Sequence, residues 1–475
     1  MKVGAVQTEA APDCGHGCVN GVRQEGAAGL HPAPMIDDTT GPADGALATR
    51  GVALDLLFNV LAKRVPFDDA WDGSRGLRTL EARDRAFVRL LVATTLRRLG
   101  QVDAAIQTML NKQGQQLKAV VQDILRLGAT QLLFLGTPAH AAVDTAVELA
   151  VARKQHPYKG LINAVLRRID RERDAILESQ DAGRLNTPDW LWLSWRKAYG
   201  TALTRAIVDA HLVEAPLDIT VKDDPAAWAG PLEATLLPTG SLRRPAGGQI
   251  TDLPGFGDGA WWVQDAAAAL PARLFGDLSG RDAIDLCAAP GGKTAQLAAA
   301  GARVTAVDRS DKRLLRLAEN MARLDLADRV TTLVADATEW KPSAPVDAVL
   351  LDAPCSATGT IRRHPDVARL KSEEDVEKLG RIQSRMLYRA VDMLKPGGTL
   401  VYCTCSLQPE EGETQITNLL YRRPEMAVVP VTADEVGGLT ELLTPEGFVR
   451  CTPGHLPALG GSDGFFAARL RRTGV

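Results

Sequence analysis

The sequence predicts a multidomain chain with an all-α N-terminal part, a small α/β connector and a C-terminal α/β part built on a doubly wound parallel sheet. Three observations carry this reading. Helical periodicity runs almost unbroken from about residue 46 to 180. A stretch with several Pro, Gly and aromatic residues follows over 186–260. From about 261 onward, apolar strand-like runs alternate with helical ones. The length of 475 residues allows about three domains of roughly 150 residues. With 45% apolar and 24% charged residues, the composition is that of an ordinary globular chain. It excludes a disordered, collagen-like or disulfide-scaffold protein.

Residues 1–45 are rich in Gly, Ala, Pro and Asp without periodicity, and read as a disordered tail. Cys14, His16 and Cys18 lie close together there. No second cluster of matching spacing accompanies them, so no metal site is expected. The 46–185 segment reads as a helical domain. GVALDLLFNVLAKR places Val52, Leu56, Val60 and Leu61 at helical spacing, and RDRAFVRLLVATTLRRLGQVDAAI continues the pattern. KAVVQDILRLGATQLLFL and HAAVDTAVELAVAR are separated by Gly136 and Pro138. KGLINAVLRRIDRERD is apolar on one side and Arg-rich on the other.

The 186–260 segment opens with a helix after Thr187-Pro188, and PLDITVK and EATLLPTG read as short strands. Trp190, Trp192 and Trp195 have the spacing of a packed helix face, which is preferred over a base-stacking role. In 261–475 the strands are DAIDLCA, RVTAVD, RVTTLVAD, VDAVLLDAP and GGTLVYCTCS. The helices between them are GGKTAQLAAA, DKRLLRLAENMARL and EDVEKLGRIQSRMLYRAVDMLK. Ligands of such sheets bind outside the carboxyl ends of the strands.

No run of about 18 apolar residues is present, so no membrane span is expected. The first residues lack the apolar core of a secretory signal. Seven cysteines in 475 residues is the sparse usage of a reduced, cytoplasmic protein. The net charge of -3 hides an uneven distribution. Residues 1–45 carry -4, 46–185 carry +6, 186–260 carry -3 and 261–475 carry -2. The positive segment suits a polyanion partner; a helical domain with solvated Arg faces has the same charge.

Asp285 to Thr294 reads DLCAAPGGKT, a strand running through a Gly-rich turn into a helix. A phosphate-binding P-loop needs Gly six residues before its Lys, but Cys287 stands there, and Pro290 removes a donor. The alternative is a cofactor with adenosine and no phosphates. Asp308 closes the next strand, where an acid receives ribose hydroxyls in the related dinucleotide fold. Asp336 and Asp352 close the two strands after it. One strand-end Asp is ordinarily a loop or cap residue; three facing one crevice are a specific signal.

Cys355, in DAPCSATG, and Cys405, in LVYCTCS, lie at strand tips on the same side of the sheet. Two cysteines beside Asp352 suit nucleophilic catalysis. Free thiols ionise near pH 8.5, so only a few per cent is thiolate at neutral pH unless the site intervenes. Cys403 lies deeper in its strand and reads as a small buried hydrophobe, as does the Cys287 thiol.

At these residues the chain resembles the RsmB/Nop2/Sun family of RNA (cytosine-5) methyltransferases. The motifs DLCAAPGGKT, AVDRSDKRLLRLAEN, DAPCSATGTIRRHPD and VYCTCS occur in order. The resemblance covers 186–475, and 46–180 is similar to a NusB-type RNA-binding domain through LLVATTLRR, DTAVELA and KGLINAVLRRI. That fusion is the architecture of members acting on small-subunit rRNA. The resemblance implies a Rossmann-like class I methyltransferase domain and S-adenosylmethionine as cofactor. Cofactor binding would fall to Cys287, Ala288, Ala289, Pro290, Gly291, Gly292, Lys293, Asp308, Asp336 and Asp352. Cys405 would be the nucleophile, and Cys355 would assist product release. One departure is Ala357, where many members have Gly.

The chemistry agrees with this. Thiolate addition at C6 of cytosine makes C5 nucleophilic, and Asp352 is placed to hold the base edge, donating to N3 when protonated. The base must leave its stack, at roughly a few kcal/mol. Arg362, Arg363 and His364 follow the Cys355 loop and are expected to contact phosphate. The expected partner is 16S rRNA, with no membrane, no metal and no obligate protein partner. A tRNA cytosine-5 methyltransferase, or a non-catalytic RNA-binding or antitermination factor, remain alternatives.

Overall fold

The computed structural model describes residues 43–110, 114 and 116–474. Cys14, His16 and Cys18 lie outside them.

The helical part comprises α1 (Ala43–Leu61), α2 (Phe67–Gly73), α3 (Ala82–Arg97), α4 (Leu99–Met109), α5 (Ala119–Phe134), α6 (Ala139–Ala152), α7 (Lys159–Arg171), α8 (Arg173–Ser179) and α9 (Ala182–Asn186). Helix α5 is its axis. It is buried on nearly every side, from Val121 through Ile124, Leu125 and Leu127 to Leu133. Such a helix has no polar face, because α1, α3, α4, α6 and α7 all pack against it. Gly128 permits the close approach of α7; a Cβ there would sit 2.6 Å from a Leu166 methyl. Helix α7 buries Ile162, Val165, Leu166 and Ile169 and leaves Arg167 and Arg171 outside. Gly136, at φ 63°, ends the turn after α5, and Pro138 opens α6.

Helix α10 (Asp189–Ala210) is kinked at Gly200, whose φ is 75°. Trp195 is fully buried and donates its indole N–H to Gln408 Oε1 at 2.7 Å, so this aromatic belongs to the core. Then come β1 (Leu217–Val221), α11 (Pro225–Ala229), β2 (Thr235–Leu236), β3 (Leu242–Arg244) and β4 (Trp261–Val263). They make an antiparallel sheet in the order β2-β3-β1-β4. Strand β4 lies beyond residue 260, where the composition placed the end of the connector. Its register with β1 pairs Ile219 with Val263 and Val221 with Trp261, and Trp261 fills the sheet's core. Buried Asp218 takes both arms of the Arg243 guanidinium at 2.7 Å, a bidentate pair.

The remaining elements are α12 (Leu270–Arg273), β5 (Asp282–Leu286), α13 (Gly292–Ala299), β6 (Arg303–Asp308), α14 (Asp311–Arg323), β7 (Val330–Val334), β8 (Val346–Asp352), α15 (Val367–Leu370), α16 (Glu373–Asp392), β9 (Leu394–Thr404), α17 (Glu413–Arg422), β10 (Met426–Val428), β11 (Val449–Cys451) and β12 (Phe465–Arg472). The sheet order is β10-β12-β9-β8-β5-β6-β7. Strands β9, β8, β5, β6 and β7 are parallel, as expected. The sheet is not wholly parallel, however. β12 runs antiparallel to β9, and β10 and β11 pair antiparallel to β12. Phe466 and Leu470 of β12 face the α16 side of the core, and Phe465 and Ala467 face the other. That continuous apolar run marks a strand covered on both faces, but nothing in it distinguishes parallel from antiparallel pairing.

The helical part grips the segment that follows the Cys355 loop. Arg97 donates to the Arg362 carbonyl at 2.7 Å, the Phe67 N–H to Asp366 at 2.9 Å and Arg64 to the Leu370 carbonyl at 2.7 Å. His364 Nδ1 lies 3.2 Å from Asp68. Asp68 holds the imidazole's pKa above its ordinary value, and His364 draws the Asp68 carboxyl down to about 2. The pair's contribution is therefore whole below the ordinary imidazole value of about 6.5 and fades as pH rises through the higher folded-state value. On the acid side it persists until Asp68 protonates near 2. His364→Gln is expected to lower the melting temperature more at about pH 6 than at about pH 9. Both side chains are half-exposed, which holds the effect to about 1 kcal/mol or less. Calorimetry at the two pH values checks this; equal shifts would remove the ionic account.

Candidate active site

The carboxyl ends of β5, β6 and β8 reach one edge of the sheet, and the loops leaving them build the site. After β5 the chain turns sharply. Cys287 takes φ 62°, and Gly291 takes φ 105° as the residue capping α13. Gly291 is required twice over, since its φ is left-handed and a Cβ would lie 2.8 Å from Leu317 Cγ. Ala288 N–H donates to Val307 at 3.1 Å, and Ala289 N–H to Asp308 Oδ2 at 3.3 Å. The turn is thus anchored to the tip of β6.

Asp308 is buried, also accepts from Ser310 N–H at 2.9 Å and lies 3.5 Å from Arg313. Asp336 sits two residues past β7, is exposed and accepts from Thr338 N–H and Oγ1 at 2.8 and 2.7 Å. Those bonds hold its carboxyl below the usual range. Asp352 ends β8 and accepts from Lys293 Nζ at 2.8 Å. Burial lowers the Lys293 pKa, but the charge and hydrogen bond of Asp352 together with the neighbouring Cys403 and Cys405 outweigh it, and the net shift is upward. Asp285 is fully buried, accepts from Thr294 Oγ1 at 2.6 Å and leaves Oδ1 without a partner. Burial pushes its pKa up to about 7.

This donor set suits S-adenosylmethionine. The cations beside the turn, Lys293 and Arg313, are already matched to Asp352 and Asp308. A pyrophosphate would meet carboxylates, whereas a sulfonium and ribose hydroxyls find acceptors. Among the described residues no cluster of three His, Cys, Asp or Glu is arranged to hold a metal.

The two thiols converge. Gly359 N–H donates to the Cys405 carbonyl at 3.0 Å, folding the loop after β8 over the end of β9. Cys355 Sγ and Cys405 Sγ lie 3.5 Å apart, both half-buried. The hydrogen bond with Cys405, burial, and the charges of Cys405 and Glu411 push the Cys355 thiol far above its ordinary pKa. Cys403 is fully buried, with its thiol 3.6 Å from Asp352 Oδ1. Burial, then Asp352 and its acidic neighbours, raise Cys287 to about 12, which suits an inert packing group. Ala357 adopts φ 58°, a left-handed conformation that costs a non-Gly residue roughly 1–2 kcal/mol and explains why Gly suits this position.

Arg362 is buried and Arg363 half-buried, against the expectation that they contact phosphate, while His364 stays exposed beside Asp68. Arg362 is buried between Asp463 at 3.2 Å and the Gly460 carbonyl at 2.8 Å. Arg363 joins Asp463 and Asp265 at 2.9 and 2.8 Å, and His364 faces Asp68. The guanidiniums are matched to carboxylates rather than presented to solvent, because this loop ties three parts of the chain together.

Sequence reading missed two acids. Asp285 lies inside the quoted motif, but its position before the turn carries no mark of full burial. Glu411 is completely buried beneath both thiol loops. In the run PEEGE nothing separates it from Glu410, which is exposed.

A family model described as "16S rRNA methyltransferase RsmB/F" matches residues 278–471, and one described as "NusB family" matches 47–171. The chain is 35% identical to the "Ribosomal RNA small subunit methyltransferase B" of Salmonella arizonae, over 82% of this chain and 90% of the relative. The protein of that name from Serratia proteamaculans is also 35% identical, over 83% and 92%. Among solved structures, PH0851 superposes with a TM-score of 0.70 at 23% identity, covering 91% of this chain and 99% of its own. NSun6 from Pyrococcus horikoshii, crystallised with SFG, superposes at 0.53 and 19% identity, over 61% and 99%. At these identities the two structures speak for the fold alone.

Proposed function

Because the chain belongs to the RsmB/F family of 16S rRNA methyltransferases, we propose that it methylates C5 of one cytosine in 16S rRNA through a covalent bond to Cys405. It is an S-adenosylmethionine-dependent methyltransferase. The observation that carries the cytosine reading is the 3.5 Å approach of the two thiols, beside the Lys293–Asp352 pair.

The bound cofactor supplies an electrophilic methyl group on a sulfonium. The turn 287–293 and Asp308 and Asp336 hold it. Cys405, as thiolate, forms a bond to C6 of the flipped base, and the electron pair displaced from the C5–C6 double bond makes C5 the nucleophile. Asp352, ion-paired with Lys293, holds the base edge by accepting from the exocyclic amine. After methylation a base takes the C5 proton, its electron pair rebuilds the double bond, and the Cys405 thiolate leaves. Cys355 serves that release. We place this work in the cytoplasm, as that of an enzyme acting on ribosomal RNA.

Bisulfite sequencing of RNA from cells with and without the gene tests the reading. Loss of one 5-methylcytosine in 16S rRNA is expected. Loss at a tRNA site instead would discard the substrate and keep the chemistry; no change at any cytosine would overturn both.

A further inference from the structure

We propose that Glu411 is a positioning residue that clamps the Cys355 and Cys405 loops into a single register. The proposal rests on the covalent reading above and names a group that reading does not use.

Glu411 ends a short 3-10 turn, Pro409–Glu411, and its carboxylate is fully buried. One oxygen accepts from Ser356 N–H at 2.9 Å and from Gln383 Nε2 at 2.9 Å. The other accepts from Ser406 Oγ at 2.6 Å and from the Ser356 hydroxyl. Ser356 directly follows Cys355, and Ser406 directly follows Cys405. One carboxylate therefore holds the residue after each thiol.

The clamp extends to the residues before them. Gln383 Nε2 also donates to the Pro354 carbonyl at 2.9 Å, and Thr404 Oγ1 to the Glu411 carbonyl at 3.3 Å. Each cysteine is fixed on both sides through the same acid. Tyr402 O–H donates to the Glu411 carbonyl at 2.8 Å, which anchors the acid to β9 itself. A carboxylate without water nearby is costly unless its lone pairs are filled, and here four donors fill them. Backbone bonds from Ala353 and Gly359 to the Cys403 and Cys405 carbonyls pin the two ends of the loop after β8 but not Cys355 between them, and a thiol displaced by about 1 Å loses on the order of 10²-fold in rate. A buried acid bonded to both loops supplies the missing constraint.

The test uses the full-length enzyme and a 16S rRNA transcript containing 5-fluorocytidine, which traps the covalent adduct because its C5 fluorine cannot leave as a proton does. Rates are normalised to the fraction of enzyme that binds S-adenosylmethionine, so a loss of folded protein does not register. Glu411→Ala is expected to slow adduct formation on the order of 10²-fold. Glu411→Gln keeps the volume and one acceptor and is expected to recover part of that loss. KM for RNA and cofactor affinity are expected to stay within about two-fold, since the acid is fully buried and its lone pairs are taken by protein donors.

Should Glu411→Ala fail to fold, the two serines decide. Ser406→Ala is expected to slow adduct formation, and Ser356→Ala to slow release of methylated product on unsubstituted RNA. Wild-type rates in Glu411→Ala, or in both serine variants, overturn the proposal alone. A wild-type enzyme that methylates its RNA but never forms the adduct overturns the covalent reading and this proposal together.

Discussion

Cys405→Ala is expected to lower methyl transfer by about 10³-fold or more, because it removes the atom that activates C5. Cytosine C5 has no other route to nucleophilic character at this site. In the proposed mechanism the Lys293–Asp352 pair would polarise the base edge, but neither group can add to C6 and leave again. The substitution removes one sulfur from a half-buried position at the end of β9. The loops around it are held by Ser356, Ser406 and Glu411, so the fold and the cofactor turn are expected to persist. Cofactor binding by calorimetry and tritiated-methyl transfer to 16S rRNA separate the two effects. Cys403→Ala is the control. It deletes a fully buried thiol two residues away and is expected to affect stability before chemistry. If Cys405→Ala retains transfer and Cys403→Ala does not, the nucleophile has been assigned to the wrong cysteine of the VYCTCS run.

Periodicity made the fold class legible because each segment buries its apolar residues in the way its pattern demands. Helix α7 with Ile162, Val165, Leu166 and Ile169 and strand β8 with Val349, Leu350 and Leu351 are examples. Pairing direction was not legible. Phe465–Arg472 is apolar on both faces whichever way it runs, and only the chain path brings it antiparallel to β9. The convergence of Cys355 and Cys405 followed from parallel topology, since both residues lie just beyond the same ends of adjacent strands. The fate of Arg362 and Arg363 did not. Their partners Asp463 and Asp265 lie about 100 residues away in the chain, and an arginine next to a catalytic loop looks the same whether it meets a phosphate or a buried carboxylate. Glu411 was hidden for the converse reason: an acid in an acidic run reads as surface until its four donors are seen.

Cys355→Ala is expected to convert the enzyme into one that methylates once and stays attached to its RNA. The reason lies in how the two thiols act on each other. In the free enzyme the Cys355 proton is held by its hydrogen bond to Cys405, by burial and by the negative charges of Cys405 and Glu411. Once Cys405 is bonded to C6 it has neither a charge nor a free lone pair of thiolate character. The first of those causes and one of the charges then vanish together, and the Cys355 thiol becomes more acidic. A thiol that holds its proton less firmly once that bond exists can pass it to solvent and then take the C5 proton, which exists as a leaving group only after methylation. Without Cys355 the C5 proton stays, the double bond cannot re-form and Cys405 cannot depart. The expected result is single-turnover methylation at a rate near wild type, turnover reduced by about 10²-fold or more, and a protein–RNA band that survives denaturing electrophoresis. Adding Cys405→Ala to the variant should remove the band. If Cys355→Ala instead forms no adduct at all, the two roles are reversed, and the thiol at the end of β9 is the one that serves release.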